Sequence, residues 1–584
     1  MTPANASTAM ATVLLDELAR CGVRDLVLAP GSRSAAVAFA AYAARDRVRL
    51  HTRVDERSAG FLALGIARTS RRPVVVVTTS GTAVANLHPA VLEAAHAGVP
   101  LLLLTADRPA RLRGTNANQT TDQAGIFGGA VREAADVSAP HAGSGEAERR
   151  QVVGWRSLAA RSAAVATGRL GARPGPVHLN LQFEEPLVPD VGDGWGSALD
   201  GAPDGGPWMT PGARPQASPE PVSADLRTVV VAGDDAGPPA RVLAEAAGWP
   251  LLAEPTSGSR TGDSVIRTYR LLLGDPDLAA RIQQVVVFGH PTLSRPVSRL
   301  LARDDIELYA VRGPSGWTDS GHHVHAVVDR VELEGVHASW FASEPVADAP
   351  RPPDPWMEEW RRRDAEVSRR LDAFLGTRGG LTPHQVVGAV SAAMPPGGLL
   401  FVGASNPVRD LDLMVAPYAV GDHRMVVGNR GLAGIDGSVS SALGAALGRP
   451  HSTRALALLG DVTFLHDANG LVLGPREERP DLTVVVVNDD GGSIFASLEQ
   501  GGEQHAAAYD TLFGTPHGVD IASLCAATRT PHWRVDSLAE LRHALDSPAG
   551  GIEVVEAVVR RDDRRDLDAA IRALAVGVAG GAQD

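Results

Sequence analysis

Short apolar runs alternate with amphipathic stretches along most of this chain. The runs "DLVLAPGS", "RPVVVVTT" and "PLLLLTADRP" have the length of strands and are apolar at successive positions, whereas "TAMATVLLDELARCG" and "HPAVLEAAHAGV" read as helices. Strands that are apolar on both faces occur in parallel sheets covered by helices. The pattern therefore predicts an α/β fold in which parallel sheets are flanked by helices.

One segment places an acidic residue where a strand gives way to a helix. The residues "RVRLHTRV" alternate in polarity as a half-buried strand does, and "DERSAGFLALG" follows them. Asp55 suits the N-cap of the helix, and Glu56 would be its first residue. A carboxylate in the first turn usually complements the helix dipole, which is the simplest interpretation of Glu56.

Two breaks in composition divide the chain. Residues 191–225 form a linker rich in glycine and proline, and residues 346–375 form a second linker together with the charged helix that follows it. The predicted domains are residues 1–190, 226–345 and 376–584, each of plausible size. The central domain has "GDDAG" after a strand but no GxGxxG fingerprint, so we expect it to have a structural role.

A weak internal similarity links the outer domains. Residues 82–109 run from loop to helix to a strand that ends in "TADRP", and residues 463–492 run from loop to helix to a strand that ends in "NDDGG". This pattern suggests two related α/β units.

Composition excludes several classes of function. The 584 residues include 55 basic and 68 acidic side chains, and the net charge of −13 argues against nucleic acid or an anionic membrane as a partner. Every basic residue other than histidine is arginine, so neither a Walker A loop nor a pyridoxal phosphate Schiff base can form. Cys21 and Cys525 are too few for a disulfide framework or a multi-cysteine zinc site.

The sequence also bears on location. The first residues lack a basic segment followed by an apolar one, and the longest apolar runs are far shorter than the ~20 residues that span a bilayer. We therefore expect a cytoplasmic protein without membrane insertion.

The strands "ALALLG" and "LTVVVVN" both stop at polar side chains. Asp461 and Asp489 are 28 positions apart, which leaves room for one helix and the return strand of a parallel βαβ unit. Both would lie at the carboxyl edge of the sheet, where α/β folds bind ligands, and oxygen ligands suit Mg²⁺. Two capped strand-end turns would show the same spacing, so spacing alone leaves both interpretations open. Neighbours that could lie against a phosphate are Gly460, Thr463, Gly491 and Gly492.

Several motifs together resemble one enzyme family. "GDVT" followed by "NDDGG" resembles the motif that holds thiamin diphosphate through a divalent metal, and residues 79–109 resemble its partner motif in a pyrimidine-binding domain. The segments "APGSRS", "DERSAGF", "TADRPARLRGTNANQTTDQ", "SNPVRD" and "NRGLAGIDG" closely resemble the 2-succinyl-5-enolpyruvyl-6-hydroxy-3-cyclohexene-1-carboxylate synthases of menaquinone biosynthesis. The resemblance extends from near residue 10 to about residue 560.

The resemblance implies a fold, an activity and an assembly. The thiamin-diphosphate-binding fold would place pyrimidine binding in residues 1–190 and diphosphate and metal binding in residues 376–584. The implied transferase decarboxylates 2-oxoglutarate and adds the resulting succinyl carbanion to isochorismate in 1,4 fashion, with thiamin diphosphate and Mg²⁺ or Mn²⁺ as cofactors. A homodimer or homotetramer is implied, with active sites at the subunit interface.

The resemblance also implies roles for individual residues. Glu56 would hydrogen-bond the pyrimidine ring of a cofactor whose diphosphate the partner chain holds, and Ile435 would support the bent cofactor from below. The metal ligands would be Asp461, Asp489 and Gly491, with Asn488 as the alternative to Asp489. The implied cofactor-binding residues are Glu56, Ile435, Gly460, Asp461, Thr463, Gly491, Gly492, Ile494 and Phe495.

The two substrates would each bring two carboxylates to a protein of net charge −13, so a local cationic pocket is required. Arginine binds carboxylates in bidentate fashion. The relatives in this family use a lysine in the central domain, and Arg295 is the residue that we expect in its place. The substrate-binding residues implied by the motifs are Ser32, Arg33, Arg108, Asn118, Gln119, Ser405, Arg409 and Arg430.

Two alternatives remain at this point. One is another thiamin-diphosphate-dependent carboligase or 2-keto acid decarboxylase, such as one that makes acetolactate, which would need no arginine array for two dicarboxylates. The other is a catalytically silent binding module with the same fold, which predicts loss of Glu56, Asp461 or Asp489; all three are present.

Overall fold

The computed structural model describes residues 5–171, 173–189, 194–212, 217–334 and 354–577. Within these residues, no helix is both long and apolar enough to cross a membrane. Parts of the predicted linkers, residues 191–193, 213–216 and 346–353, lie outside the described residues. The predicted domain boundaries stay predictions.

The N-terminal region forms the first sheet from the apolar runs seen in the sequence. Its strands are β1 Asp25–Leu28, β2 Arg49–Thr52, β3 Val74–Thr78, β4 Leu101–Asp107, β5 Glu133–Val137 and β6 Val177–Gln182. Its helices are α1 Ala6–Arg20, α2 Ala35–Ala43, α3 Glu56–Ser70, α4 Thr82–Ala85, α5 His88–Ala97 and α6 Gly145–Ala166. All six strands are parallel, in the order β2-β1-β3-β4-β6-β5, and β3 and β4 are buried along their whole length.

The central region forms a second, smaller parallel sheet. Its strands are β7 Glu220–Val222, β8 Thr228–Ala232, β9 Leu251–Ala253, β10 Gln284–Phe288, β11 Glu307–Val311, β12 Ala326–Val328 and β13 Val331–Leu333. Its helices are α7 Pro238–Ala247, α8 Tyr269–Leu272, α9 Pro276–Ala280 and α10 Arg295–Leu301. The sheet order is β12-β11-β10-β8-β9, while β7 and β13 pair separately. Strand β7 lies inside the range that the sequence predicted as a linker.

The C-terminal region contains a third sheet. Its strands are β14 Leu399–Val402, β15 Met425–Val427, β16 Ala455–Gly460, β17 Leu482–Asn488, β18 His532–Val535 and β19 Ile552–Val558. The helices are α11 Pro355–Gly376, α12 Pro383–Ala392, α13 Asn406–Met414, α14 Ser438–Gly448, α15 Asp461–His466, α16 Ala506–Tyr509, α17 Ile521–Ala527, α18 Leu538–Asp546 and α19 Arg564–Ala573. The strands are parallel in the order β15-β14-β16-β17-β19-β18.

The first and third sheets share one strand order. Counted along the chain within each sheet, the order is second, first, third, fourth, sixth, fifth in both cases. This identity agrees with the similarity between residues 82–109 and 463–492. In each sheet the direction of winding reverses between the first and third strands, and α/β folds bind ligands beside such a reversal.

The chain forms two compact units. The first consists of Met1–Pro215, Gly431–Pro450 and His466–Pro480, and the second of Gln216–Arg430, His451–Leu465 and Asp481–Asp584. The first unit therefore contains the first sheet together with α14, whereas the second unit contains the central sheet, the β7–β13 pair and the third sheet. Helix α14 lies between β15 and β16 in the sequence, yet it belongs to the first unit, whereas these two strands belong to the second.

Glycines allow α3 and α14 to pack closely within the first unit. A Cβ added to Gly65 would lie 2.1 Å from the carbonyl oxygen of Ser441, and one added to Gly444 would lie 2.1 Å from that of Leu62. The backbones of the two helices are therefore in direct contact, and only glycine fits at these two positions.

We expect Gly65→Ala to lower the melting temperature because the new methyl group has no room; overpacking typically costs about 1–3 kcal/mol. Gly154 in α6 is the matched control, since nothing lies within 4 Å of a Cβ placed there. Gly154→Ala should be neutral or stabilising, by up to about 1 kcal/mol, through helix propensity. Differential scanning fluorimetry of both variants checks this, and equal melting temperatures would contradict the close packing of α3 on α14.

Candidate active site

Three neighbouring strands of the third sheet end in polar loops at one edge. Ser405 follows β14, Asp461 follows β16 and Asp489 follows β17, and these strands are adjacent and parallel. Ser405 has a φ of +72°, which is uncommon for a residue other than glycine. Such strained backbone concentrates at functional sites. The sequence prediction that Asp461 and Asp489 share one sheet edge is confirmed by this topology.

Asp461 and Asp489 form a pair of carboxylates with little access to water. Asp461 is 3% exposed, and its Oδ2 accepts a hydrogen bond of 2.9 Å from the backbone N–H of Gly491. Burial, followed by the nearby charge of Asp461, raises the pKa of Asp489 to about 7. Burial also raises the pKa of Asp461. Two acidic groups in this arrangement repel each other, and a divalent cation between them would remove the repulsion.

The neighbouring Asn488 is engaged elsewhere. Its Nδ2 donates to Oε1 of Glu556 at 2.7 Å, and its Oδ1 accepts the N–H of Asp490 at 3.0 Å. Both polar atoms of the Asn488 amide therefore form hydrogen bonds at the end of β17. The side chain that is electrostatically linked to Asp461 is Asp489, which favours the register chosen from the sequence.

The two glycines Gly491 and Gly460 at this edge of the sheet differ in whether the fold requires glycine. A Cβ on Gly491 would lie 2.1 Å from the carbonyl oxygen of Gly514, and the φ of +143° also favours glycine. At Gly460 a Cβ would have no neighbour closer than Pro407 at 3.9 Å, so the packing of the chain does not require glycine there. Open space beside a buried threonine, Thr463, suits the close approach of a phosphate.

Thiamin diphosphate and its metal fit these residues. The predicted metal set needs only two carboxylates and one backbone carbonyl, because Mg²⁺ commonly completes its shell with water and phosphate oxygens. No cluster of three or more His, Cys, Asp or Glu side chains suited to a metal occurs in the described part of the chain. A metal held by the predicted residues would therefore need further oxygens, such as those of a diphosphate.

Two further features border the loop of residues 489–492, which we call the metal loop after its predicted role. His517 lies with Nε2 3.1 Å from Oδ2 of Asp461, and its sequence context, "TPHGVD", carried no motif that would have revealed it. Ile494 and Phe495 belong to the short 3₁₀ helix Ser493–Ser497 after the loop, and both are half-buried.

Two predicted substrate arginines lie in the same unit as the carboxylate pair. Arg409 is on α13, where its Nη1 donates to the carbonyl oxygen of Ser405 at 2.7 Å. Arg430 is 3% exposed, and Nη2 donates to Oγ1 of Thr292 at 3.1 Å while Nε has no partner among the described residues. Burial lowers the pKa of Arg409, and the charge of Arg430 lowers it further. The structure thus brings two cations together in buried surroundings.

A loop and a short helix of the central region supply side chains that hold α13. Oδ1 of Asp412, which is fully buried, accepts hydrogen bonds from Arg260 at 2.9 Å and from the Tyr269 hydroxyl at 2.8 Å. Arg270 donates to the carbonyl oxygen of Arg409 at 2.6 Å. The sequence motifs did not indicate these contacts, because the partners lie about 140 to 150 positions apart.

Glu254, after β9, is another residue that the motifs missed. It is 2% exposed, and Oε1 accepts the N–H groups of Thr292 at 3.0 Å and Leu293 at 2.8 Å, whereas Oε2 has no partner among the described residues. Burial raises the pKa of Glu254 to about 8, although the charge of Arg430 opposes the shift. The carboxyl group is therefore largely protonated near neutral pH.

The first unit holds the other predicted substrate residues beside its own sheet reversal. Arg108 donates to Oγ of Ser80 and to the carbonyl oxygen of Gln119, and Nε2 of Gln119 donates to the Ser80 carbonyl at 2.8 Å. Burial, followed by the charge of Arg33, lowers the pKa of Arg108. Ser32 and Asn118 lie in exposed loops of the same unit.

Glu56 is the first residue of α3, and Asp55 caps this helix by accepting the N–H groups of Arg57 and Ser58. The Glu56 side chain is half-buried and makes no hydrogen bond or ion pair within the described ranges. The segment that carries Ile435 packs on the same helix, because Gly437 lies against Phe61. In the first unit the Ile435 segment therefore packs against α3, the helix that begins at Glu56.

Arg295 does not join the buried arginine pair. Its side chain is 66% exposed and lies 3.3 Å from Glu499 in an ion pair. Its replacement of a lysine of the relatives stays a prediction.

Comparison with known proteins matches two family models to this chain. The model "Thiamine pyrophosphate enzyme, N-terminal TPP binding domain" matches residues 8–126, and "Thiamine pyrophosphate enzyme, C-terminal TPP binding domain" matches residues 413–557. The matches contain Glu56 and the Asp461–Asp489 pair respectively. The predicted fold class and the thiamin diphosphate cofactor are confirmed.

Curated relatives match almost the whole chain. A 2-succinyl-5-enolpyruvyl-6-hydroxy-3-cyclohexene-1-carboxylate synthase of Nocardioides sp. is 61% identical over 97% of this chain and 98% of its own length. Proteins with the same name from Kineococcus radiotolerans and Saccharopolyspora erythraea are 49% and 44% identical, over 97% and 96% of this chain and 99% and 97% of their own lengths.

The buried carboxyl of Glu254 predicts a pH-dependent effect of Glu254→Gln. The folded-state pKa of about 8 exceeds the ordinary value of 4.5, so the wild-type protein loses stability as pH rises from about 4.5 towards 8. Glutamine removes this loss. The variant should therefore gain in melting temperature relative to wild type between pH 5 and pH 8.5, by several degrees. A melting-temperature difference that is the same at every pH would contradict the assignment.

Proposed function

We propose the function of this chain from one premise: the chain belongs to the 2-succinyl-5-enolpyruvyl-6-hydroxy-3-cyclohexene-1-carboxylate synthase family. It is a thiamin-diphosphate-dependent transferase of menaquinone biosynthesis. Its substrates in this proposal are 2-oxoglutarate, which loses CO₂, and isochorismate, which accepts the resulting four-carbon unit by 1,4-addition. The product would be 2-succinyl-5-enolpyruvyl-6-hydroxy-3-cyclohexene-1-carboxylate.

The observation that carries the substrate assignment is the pair Arg409 and Arg430. Arg430 is buried and Arg409 is half-buried, and their two positive charges oppose each other. A dianionic ligand would offset both charges, and arginine recognises carboxylates with high geometric specificity. A dicarboxylate 2-keto acid supplies two such groups, whereas pyruvate supplies only one. The pair therefore supports 2-oxoglutarate over a monocarboxylate.

A second cationic pair could serve the other dicarboxylate. Arg33 and Arg108 lie close enough for the charge of Arg33 to lower the pKa of Arg108. In this proposal they bind carboxylates of isochorismate, with hydrogen bonds from Ser32, Asn118 and Gln119. The exposure of these loops leaves room for a ring-shaped substrate.

The residues that would hold the cofactor follow from the carboxylate pair. Asp461, Asp489 and the carbonyl of Gly491 would bind Mg²⁺ or Mn²⁺. When bound, thiamin diphosphate supplies the carbon nucleophile and the electron sink for loss of CO₂ from a 2-keto acid. The other residues in contact with it would be Gly460, Thr463 and Gly492 at the diphosphate, and Ile435, Ile494 and Phe495 around the rings.

Glu56 would hold a proton in contact with the pyrimidine ring. Its carboxylate is half-buried and is not engaged by the described part of the chain, so it is available to a ligand. The N-cap Asp55 fixes the start of α3 and therefore the direction from which Glu56 approaches. General acid–base assistance by such a group typically contributes ~10²–10⁴-fold to rate.

The assembly and location belong to the same proposal. We expect a cytoplasmic homodimer or homotetramer in which Glu56 acts on a cofactor whose diphosphate is held by the partner chain. Support comes from the family resemblance of the motifs around Glu56 and Asp461.

The assignment predicts a specific substrate requirement. Purified protein with thiamin diphosphate, Mg²⁺, 2-oxoglutarate and isochorismate should consume isochorismate, followed by absorbance, and release one CO₂ per turnover. Replacement of 2-oxoglutarate by pyruvate should abolish both signals, because the Arg409–Arg430 pair would be left with one charge unmatched. Turnover with pyruvate but not with 2-oxoglutarate would favour a different carboligase.

The proposed role of Glu56 predicts that Glu56→Gln lowers kcat by at least about 100-fold, the lower end of general acid–base contributions. Binding of thiamin diphosphate in the presence of Mg²⁺, measured by fluorescence titration, should persist because Asp461 and Asp489 are intact. Glu146→Gln is the matched control, since Glu146 is also a first-turn glutamate, in α6, and forms an ion pair with Arg150. Full activity in Glu56→Gln would remove the proposed role.

A further inference from the structure

A buried ion-pair cluster lies at the start of α19 and is centred on Arg564, which none of the sequence motifs contains. Arg564 is 5% exposed. Nη1 and Nη2 of Arg564 donate to the two carboxylate oxygens of Asp410 at 2.7 and 2.6 Å, and Nε donates to Asp568 at 3.1 Å. A bidentate pair of this kind fixes the relative orientation of the elements that carry its members. Here those elements are α13 and α19.

The Asp410 side of the cluster sets the position of a substrate arginine. Asp410 is the residue after Arg409 on α13, and it is fully buried. His384 of α12 lies 3.5 Å away from the same carboxylate. Because Arg564 holds both oxygens of Asp410, it limits rotation of α13 about its axis and thereby the direction of Arg409.

The Asp568 side of the cluster holds the helix after the metal loop. Asp568 accepts a hydrogen bond from the Ser497 hydroxyl, at the end of the 3₁₀ helix Ser493–Ser497. Arg565 donates to the carbonyl oxygen of Ala496 at 3.2 Å. The first two residues of α19 therefore connect this 3₁₀ helix to α13.

The contacts close into a ring. At the other end of the 3₁₀ helix, Nδ2 of Asn406 donates to Oγ of Ser493 at 2.9 Å. Asn406 is the first residue of α13, so α13 contacts the 3₁₀ helix directly at one end and through Arg564 and Asp568 at the other. Ring closure restrains the spacing between the metal loop and Arg409 more strongly than either contact could alone.

We propose that Arg564 is a positioning residue that sets the spacing between the metal loop and the substrate arginine Arg409. The proposal rests on the proposed function, in which Asp489 binds the metal and Arg409 binds 2-oxoglutarate. It predicts that metal-dependent cofactor binding and substrate binding weaken together when the ring is opened at Arg564.

The test compares Arg564→Lys and Arg564→Met with Arg363→Lys and Arg363→Met. Arg363 is the matched control: it is 7% exposed, pairs with Glu359 four positions away and with the distant Asp275, and lies in the same unit. Two titrations are made on each folded variant. The first is the Mg²⁺ concentration for half-maximal binding of thiamin diphosphate by tryptophan fluorescence, and the second is the KM for 2-oxoglutarate.

Arg564→Lys should raise both quantities by about tenfold, and the change in KM should exceed the change in kcat. Arg564→Met, if it folds, should raise both further. The Arg363 variants should lower the melting temperature and leave both titrations within twofold of wild type. A melting-temperature loss in Arg564→Lys with both titrations unchanged would show that Arg564 has only a structural role and would overturn the proposal.

Ser497→Ala offers a milder opening of the ring, because it removes only the hydrogen bond to Asp568. It should raise the Mg²⁺ requirement by a few fold with a smaller change in KM. Asp489→Asn distinguishes an error in the metal assignment from an error in the role of Arg564. If Asp489→Asn leaves the Mg²⁺ requirement unchanged, the metal assignment of the proposed function is wrong; if it raises that requirement while Arg564→Lys does not, only the role of Arg564 is wrong.

Discussion

Two pairs of like charges, each with one buried and one half-buried member, are the constraint on which the proposed site depends. Asp461 and Asp489 end two adjacent parallel strands, so the sheet itself forces their carboxylates together. Arg409 and Arg430 repeat the arrangement with positive sign. Each pair is unfavourable without a counter-charge, and the fold keeps both pairs in place. Binding energy for a metal–diphosphate and for a dicarboxylate is therefore already present in the free protein, as electrostatic repulsion that a ligand would relieve.

Such an arrangement requires rigid support, and the support comes from buried carboxylates on α13 itself. Asp410 and Asp412 lie on this helix beside Arg409, and both are fully buried. Arg564 holds the first, and Arg260 and Tyr269 hold the second. A buried carboxylate with its partner removed is strongly destabilising, so each contact fixes the helix as well as stabilising it. The contacts of Asp410 and Asp412 therefore fix the helix that carries Arg409.

The sequence revealed the parts of this architecture that depend on local order. The apolar runs that stop at Asp461 and Asp489 predict the ends of two strands. The spacing between the two residues predicts a parallel connection, and therefore that both residues lie at one edge of the sheet. The cap at Asp55 is likewise local. Arg564, Glu254 and Arg270 could not be found in this way. The partners Asp410 of Arg564, Thr292 of Glu254 and Arg409 of Arg270 are 38 or more positions distant along the chain. An arginine on an amphipathic helix therefore reads as a solvated charge until the tertiary fold is known.

The central sheet shows why a similar topology need not give a similar site. Its winding also reverses, between β8 and β10, yet the loops after these strands bond to each other through Asp234 and His290, and α7 begins with Pro238 and Pro239. Two prolines remove the first N–H groups of that helix, which are the donors that a phosphate would need. The central region instead contributes Arg260, Tyr269 and Arg270, whose side chains form hydrogen bonds with α13. The structural role expected for this region from the missing GxGxxG motif is thus a specific one: it holds the helix that carries Arg409.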